Sequence, residues 1–342
     1  MSESIHSDRQ RRKRKIAAQL VTILVSAAIL YVFLNKLSWE ELAESLEEAV
    51  FWKAWLGVLI PFLVIWVIEA SYSVKAFLWF HRPTPLKNYL VVKASAYLLS
   101  MINIAFSTGG EFVYFNRKTG VSFRKYIGMV FFRATIAAFG CVLVMAGLTV
   151  WILVFRAELA RDLELEFWGP VIAALLLLMV DFYLYFTRGR GLLLKNLPFT
   201  YQDEFWIAFR MARLRHWFFG MCYSVPAVFT YILGLFFVAR AFDVQVELPH
   251  FIFWAPLAAL LSAFPVTFSG FGATTAAWMI FFSDYGTTAD IVALTLFLPS
   301  ARLLMRAVLG VLFMPAAMKE ISSLAANADS QTAPPENDHR KS

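Results

Sequence analysis

Charged side chains are scarce in this sequence: they make up 16% of its 342 residues, against about 25% in an ordinary soluble domain. That shortage excludes a water-soluble fold, because 60% of the residues are hydrophobic and too little polar surface remains to cover them. Cysteine is nearly absent. Cys141 and Cys222 both sit in apolar runs, which leaves no disulfide framework and no metal-ligand spacing. The five histidines, His6, His81, His216, His250 and His339, fall in tails or at the ends of apolar runs. An intramembrane metalloprotease or a Ser-His hydrolase needs a buried imidazole, so neither reading has support. Asp181 alone among the aspartates lies well inside an apolar run, which argues against a paired-aspartate protease. No phosphate-cradling glycine loop of either nucleotide-binding type is present. No cofactor or metal is therefore expected.

What the chain does have is a series of apolar runs close to the 18 or more residues that mark a membrane span, with a mean hydropathy of +0.63. The net charge of +7 would raise the question of nucleic acid in a soluble protein. Here the cations gather in short loops and an N-terminal cluster, so membrane orientation explains them and no nucleic-acid partner is expected. The fold class is an all-α polytopic membrane protein.

Six cations, Arg9, Arg11, Arg12, Lys13, Arg14 and Lys15, precede the apolar stretch 16–34. That stretch exceeds the usual core of a signal peptide and reads as a retained first span leaving a basic cytoplasmic tail, 1–15. A capping box at Ser38 and Glu41 then opens a short acidic amphipathic helix on the outer side. A second span over 54–80 returns inward and stops at the two prolines of His81-Arg82-Pro83-Thr84-Pro85.

Residues 88–114 are apolar but carry basic flanks on both sides, Arg82 and Lys87 before and Arg117, Lys118, Arg124 and Lys125 after. A single crossing would give every later loop the wrong charge for its side. The pattern instead predicts a re-entrant hairpin, broken at Thr108, Gly109 and Gly110. Spans over 126–155 and 170–186 follow, then a basic interfacial helix over 201–216 that serves at least as an orientation anchor, then a span over 217–239. Residues 251–282 mirror the first hairpin, with acidic loops on both sides and a break at Ser269, Gly270 and Gly272. A last span over 291–314 ends at Pro315, and the tail 319–342 is expected to be disordered toward its end. Six full spans and two oppositely entered hairpins make a single transmembrane domain, 16–318, with the inverted-repeat pattern of transporters. The glycines have a second reading, as small residues that let helices pack closely.

Ionisable residues at depth are costly and mark function by default. They include Glu69, Lys75, Lys93, Glu111, Arg133, Asp181, Arg302 and Arg306, with Asn103 as a polar neighbour. Lys75, Lys93 and Asp181 lie near predicted span ends and can snorkel. Arg133, Arg302 and Arg306 are too deep for that, and the sequence predicts that they meet a lipid phosphate, with Glu69 and Glu111 as counter-ions. The alternative is a structural ion-pair network.

The order Asn103, Gly110-Glu111, Arg117-Lys118-Thr119-Gly120-Val121-Ser122 and Arg133, followed by Pro265, Ser269-Gly270-Phe271-Gly272, Gly286 and an arginine-bearing last span, resembles the transmembrane domain of lysylphosphatidylglycerol synthases and their flippase-like relatives. The likeness runs over about residues 15–318. Thr108 or Gly109, Tyr114 and Thr275 stand where that family usually has two arginines and a glutamate. The resemblance implies an inner-membrane lipid translocase fold. Aminoacyl transfer is not expected, because only a short tail follows the last span. The function expected is movement or binding of an anionic phospholipid or a polyprenyl-phosphate-linked glycolipid. An accessory subunit presenting lipid to a separate lipid-modifying enzyme is the alternative, and a membrane-embedded enzyme is disfavoured by the lack of an acid-base pair. Nothing in the sequence sets an oligomeric state.

Overall fold

The computed structural model describes residues 39–102, 104–155, 204–263 and 271–332, and five isolated positions between 176 and 187. The expected basic tail, the first span, most of the span at 170–186, Asp181, Asn103, Ser269, Gly270 and the last ten residues lie outside them. The described residues are helical and contain no strand. The chain forms two compact units. The first takes in the described residues of Met1–Leu63, Leu143–Ala174 and Val228–Leu303, and the second those of Val64–Val142, Leu175–Ala227 and Leu304–Ser342.

The elements are α1 (Trp39–Glu48), α2 (Phe51–Phe80), α3 (Leu86–Ile102), α4 (Ile104–Thr119), α5 (Phe123–Phe155), α6 (Ile207–Met211), α7 (Leu214–Ala241), α8 (Leu248–Ala263), α9 (Phe271–Phe282) and α10 (Thr288–Thr332). Among the described residues four helices are long and apolar enough to cross a membrane: Phe51–Phe80, Phe123–Gly147, Leu214–Ala241 and Thr288–Ser323. At 1.5 Å per residue, the 30 residues of α2 span roughly 45 Å, more than the ~30 Å hydrocarbon core. This is a multi-pass membrane protein.

In the first unit α1 buries Leu42 and Ser45, with Ala49 buried just past its end, and exposes Glu40, Glu41, Glu44, Glu47 and Glu48. Phe51 and Trp55 of α2 pack edge-on against Phe297, and Phe51 also meets Phe242. α8 and α9 pack against each other, with Phe251 on Trp278 and Phe282. The buried hydroxyls of Thr275 on α9 and Thr295 on α10 satisfy one another at 3.0 Å.

The second unit uses the aromatic excess of the sequence as its core. Phe77 stacks on Phe115 at 3.6 Å between ring centres, and Tyr89, Tyr126, Phe132, Trp206 and Phe209 are buried around them. α3 and α4 pack on each other. Thr108, Gly109 and Gly110 lie inside α4, which corrects the expected break. The physical reason is packing: a Cβ on Gly110 would stand 2.8 Å from Leu99 Cδ1 of α3, so this glycine lets two helices approach instead of ending one.

Two further expectations are corrected. The predicted interfacial helix at 201–216 is only the five-residue α6, turned into α7 by extended backbone at Ala212. Its Trp206 and Phe209 are buried against Phe131 and Phe132 of α5. Gly128 makes this possible, since any Cβ there would overlap the Phe205 carbonyl. The last helix also does not stop at Pro315 but continues to Thr332. Its extension is tied down: Asn88 Nδ2 donates to Glu320 at 2.7 Å, Lys118 pairs with the same carboxylate at 3.8 Å, and Arg117 donates to the Ile321 carbonyl. Tertiary anchoring and the tolerance of proline in membrane helices together outweigh the stop signal.

The turn between α4 and α5 explains part of the Arg117 to Ser122 motif. Gly120 takes φ +70° and donates its N–H to the Asn116 carbonyl, closing α4 with the left-handed cap that suits glycine. His81 locks the end of α2 to this turn. Its Nε2 lies 3.0 Å from the Thr119 carbonyl, which can only accept, and Lys125 Nζ lies 3.2 Å from Nδ1, so the ring is neutral with its proton on Nε2. Burial, with Lys125 and Arg82 nearby, holds the His81 pKa below the ordinary histidine value. The unfolded chain therefore takes up this proton first as pH falls, and the lock contributes fully above about pH 6.5 and fades through the lower folded value. In detergent, wild-type protein should lose more thermal stability between pH 7.5 and 5 than H81Q, and equal losses would remove His81 from the lock.

Candidate functional site: a charge cluster in the second unit

Lys93 organises the cluster. It sits seven residues into α3, roughly 10 Å from the helix start, too far to reach the interface cheaply. Its ammonium lies 3.0 Å from Glu69 of α2 and 4.0 Å from Glu111 of α4. The side chain of Lys93 is 7% exposed and that of Glu111 12%, whereas that of Glu69 is 46% exposed, so the cluster opens to its surroundings at Glu69. Glu111 also accepts hydrogen bonds from Tyr89 and, at 3.4 Å, from Tyr126. Tyr89 and Lys93 lie four apart and so share a face of α3, which aims both at the same carboxylate.

Arg133 of α5 places its guanidinium 5.5 Å from the centre of the Tyr72 ring. This cation-π contact is the pairing that the site gives it directly, for the buried Arg133 Nε and the buried Tyr72 hydroxyl have no hydrogen-bond partner among the described residues. The charges of Arg133 and Arg306 also act on Glu69. Both carboxylates act on Arg133 but are held by Lys93. A guanidinium so placed offers an anion a planar pair of donors that stays charged.

The sequence-predicted residues thus separate. Glu69, Glu111, Arg133 and Arg306 belong to the second unit, and the two carboxylates are paired directly with Lys93 where arginine was expected. Arg302 belongs to the first unit, where its Nη2 donates to Tyr231 at 3.0 Å and its guanidinium lies 5.1 Å from that ring. Gly272 stands in the first turn of α9, among backbone N–H groups that have no helical partner. Sequence reasoning missed Lys93, read as a snorkelling side chain, and the hydroxyls of Tyr72, Tyr89 and Tyr126. The four-residue spacing of Tyr89 and Lys93 was the available signal.

No family model matches the sequence, and no curated protein matches it.

Removing one partner of a buried pair strands the other, at a cost of about 3–5 kcal/mol. K93M should therefore lower the thermal midpoint in detergent strongly, while E69Q, altering a half-exposed group, should lower it much less. A K93M protein as stable as wild type would show that Lys93 does not hold α2, α3 and α4 together.

Proposed function

We propose that the protein is a lipid translocase of the bacterial cytoplasmic (inner) membrane that recognises an anionic headgroup, a phospholipid or a polyprenyl-phosphate-linked glycolipid, and moves it between leaflets. In this reading it has six full spans, two re-entrant hairpins entered from opposite faces and both termini in the cytoplasm. The observation that carries the reading is the pair of buried groups Arg133 Nε and Tyr72 hydroxyl, which have no hydrogen-bond partner among the described residues. Polar groups left so in an apolar surrounding are costly, and a phosphate with the water around it satisfies both. The resemblance to flippase-like domains points the same way. Arg133 and Arg306 make the phosphate contact, while Arg302, already donating to Tyr231, does not.

Topology can be tested first. In a background with Cys141 and Cys222 replaced by alanine, single cysteines are introduced at Arg124 and Ser283, both exposed. An impermeant maleimide should label only S283C in intact cells. Labelling of R124C would overturn the first hairpin.

The phosphate contact makes a second prediction. A hydrogen bond to a charged group contributes roughly 1.5–3 kcal/mol, so R133Q should weaken binding of the anionic lipid by about tenfold to a hundredfold. R133K should recover part of this, since it keeps charge and loses the fork. A destabilised R133Q protein with unaltered lipid affinity would refute the site in favour of a structural network. Purified protein in vesicles that binds lipid without moving it between leaflets would favour the accessory-subunit reading.

A further inference from the structure

A groove of about 500 Å3 runs along the first unit between α2 and α7, within the range of roughly 300–1,000 Å3 found for small-molecule sites. Its floor is a waist where the two helices nearly touch. A Cβ on Gly234 would stand 2.5 Å from the Gly57 carbonyl oxygen, and one on Gly57 would stand 3.0 Å from the Gly234 carbonyl oxygen. Pro61 lies four residues after Gly57 and has no N–H to give the Gly57 carbonyl. The waist holds the helices together while the larger side chains on either side of it stand apart. Leu56, Ile60, Leu233 and Phe237, all exposed, form the groove's walls.

Lys53 supplies the one charge among the lining residues. It is exposed at the start of α2, and its ammonium lies 5.6 Å from the centre of the Trp52 ring. From Lys53 to Pro61 the groove follows eight residues, roughly 12 Å, close to the ~15 Å of hydrocarbon in one leaflet. Five carboxylates of the same unit, Glu41, Glu44, Glu48, Asp243 and Asp290, line a different cleft.

We infer that this groove holds one phospholipid of the surrounding leaflet, an acyl chain lying along the Gly57 and Gly234 waist and the phosphate on the Lys53 ammonium. A tail gains little by leaving lipid for a protein groove, because both are equally apolar. Selection therefore rests on the fit of the chain and on the phosphate contact. This site uses no residue of the Lys93 and Arg133 cluster and stands whether or not lipid is moved there.

The test uses the full-length protein in nanodiscs carrying a trace of lipid with a photoreactive acyl chain, with cross-links mapped by peptide mass spectrometry. Three probes are compared: phosphatidylglycerol, phosphatidylethanolamine and diacylglycerol, which lacks phosphate. Both phosphate-bearing probes should mark the α2 and α7 peptides that contain Leu56, Ile60 and Leu233, and diacylglycerol should mark them roughly fivefold less, the factor set by one lysine near a membrane surface. K53Q should bring the phospholipids down to the diacylglycerol level, and K53R should not. T230W, which fills the groove, should abolish the labelling, and I60W, which alters an exposed wall residue, serves if T230W does not fold. Labelling spread evenly over the apolar helices, or unchanged in either tryptophan variant with a wild-type thermal midpoint, would overturn the site. A signal from phosphatidylglycerol alone would also overturn it, since that would assign recognition to net charge and not to phosphate.

Discussion

A charge among apolar helices has to find its partner inside the protein, and in the second unit Lys93 finds two. Moving an ammonium out of water is recovered only when counter-charges and hydrogen bonds replace hydration. Glu69 at 3.0 Å and Glu111 at 4.0 Å supply the charge, and the Tyr89 and Tyr126 hydroxyls hold the second carboxylate. Because these groups come from α2, α3, α4 and α5, satisfying one lysine fixes four helices in register. The aromatic core then fills the space between those helices, with Phe77 on Phe115 and Phe80 on Phe132.

Lipid tails offer helices almost no hydrophobic reason to associate, so close approach has to come from shape. The glycines of this chain serve that need more than they serve flexibility. Gly128 admits the backbone of Phe205, Gly220 admits Ile136 and the Tyr72 ring end, and Gly310 admits Leu98. Only Gly120 among the described glycines uses a positive φ, and it does so at a helix cap. The approach at Gly220 matters for the cluster, because a Cβ there would stand 2.8 Å from the Tyr72 hydroxyl and disturb the ring on which Arg133 rests.

How far the sequence could be read follows from the same physics. Long apolar runs give helices directly, and α2, α5 and α7 begin three residues from where composition and flanking charge put them. The paired short helices α3 with α4 and α8 with α9 were legible as interrupted apolar stretches. The helical state of Thr108-Gly109-Gly110 was not, because that segment has the composition of a break and of a packing face alike, and only the neighbour at Leu99 decides between them. Pro315 failed as a stop for a comparable reason: the bonds that hold Glu320 lie 200 and more residues away in sequence. Glu69, Glu111, Arg133 and Arg306 were recognisable from their depth alone. Lys93 was not, since a lysine near a helix end reads as snorkelling until the two carboxylates are seen beside it.

Arg133 and Arg302 show what separates a satisfied cation from an available one. Each guanidinium lies over a tyrosine ring, at 5.5 Å over Tyr72 and at 5.1 Å over Tyr231. A ring face offsets part of the cost of removing the charge from water but accepts none of the five N–H bonds that arginine offers. Tyr231 turns its hydroxyl to Arg302 as well, at 3.0 Å, and so answers one of those donors. Tyr72 does not do the same for Arg133, since its hydroxyl and the Arg133 Nε both remain without a hydrogen-bond partner among the described residues. The two carboxylates closest in kind to a partner, Glu69 and Glu111, are already committed to Lys93. Pairing that lysine twice is thus what leaves Arg133 without a carboxylate of its own among the described residues, so the interaction that holds the second unit together also decides how Arg133 is satisfied.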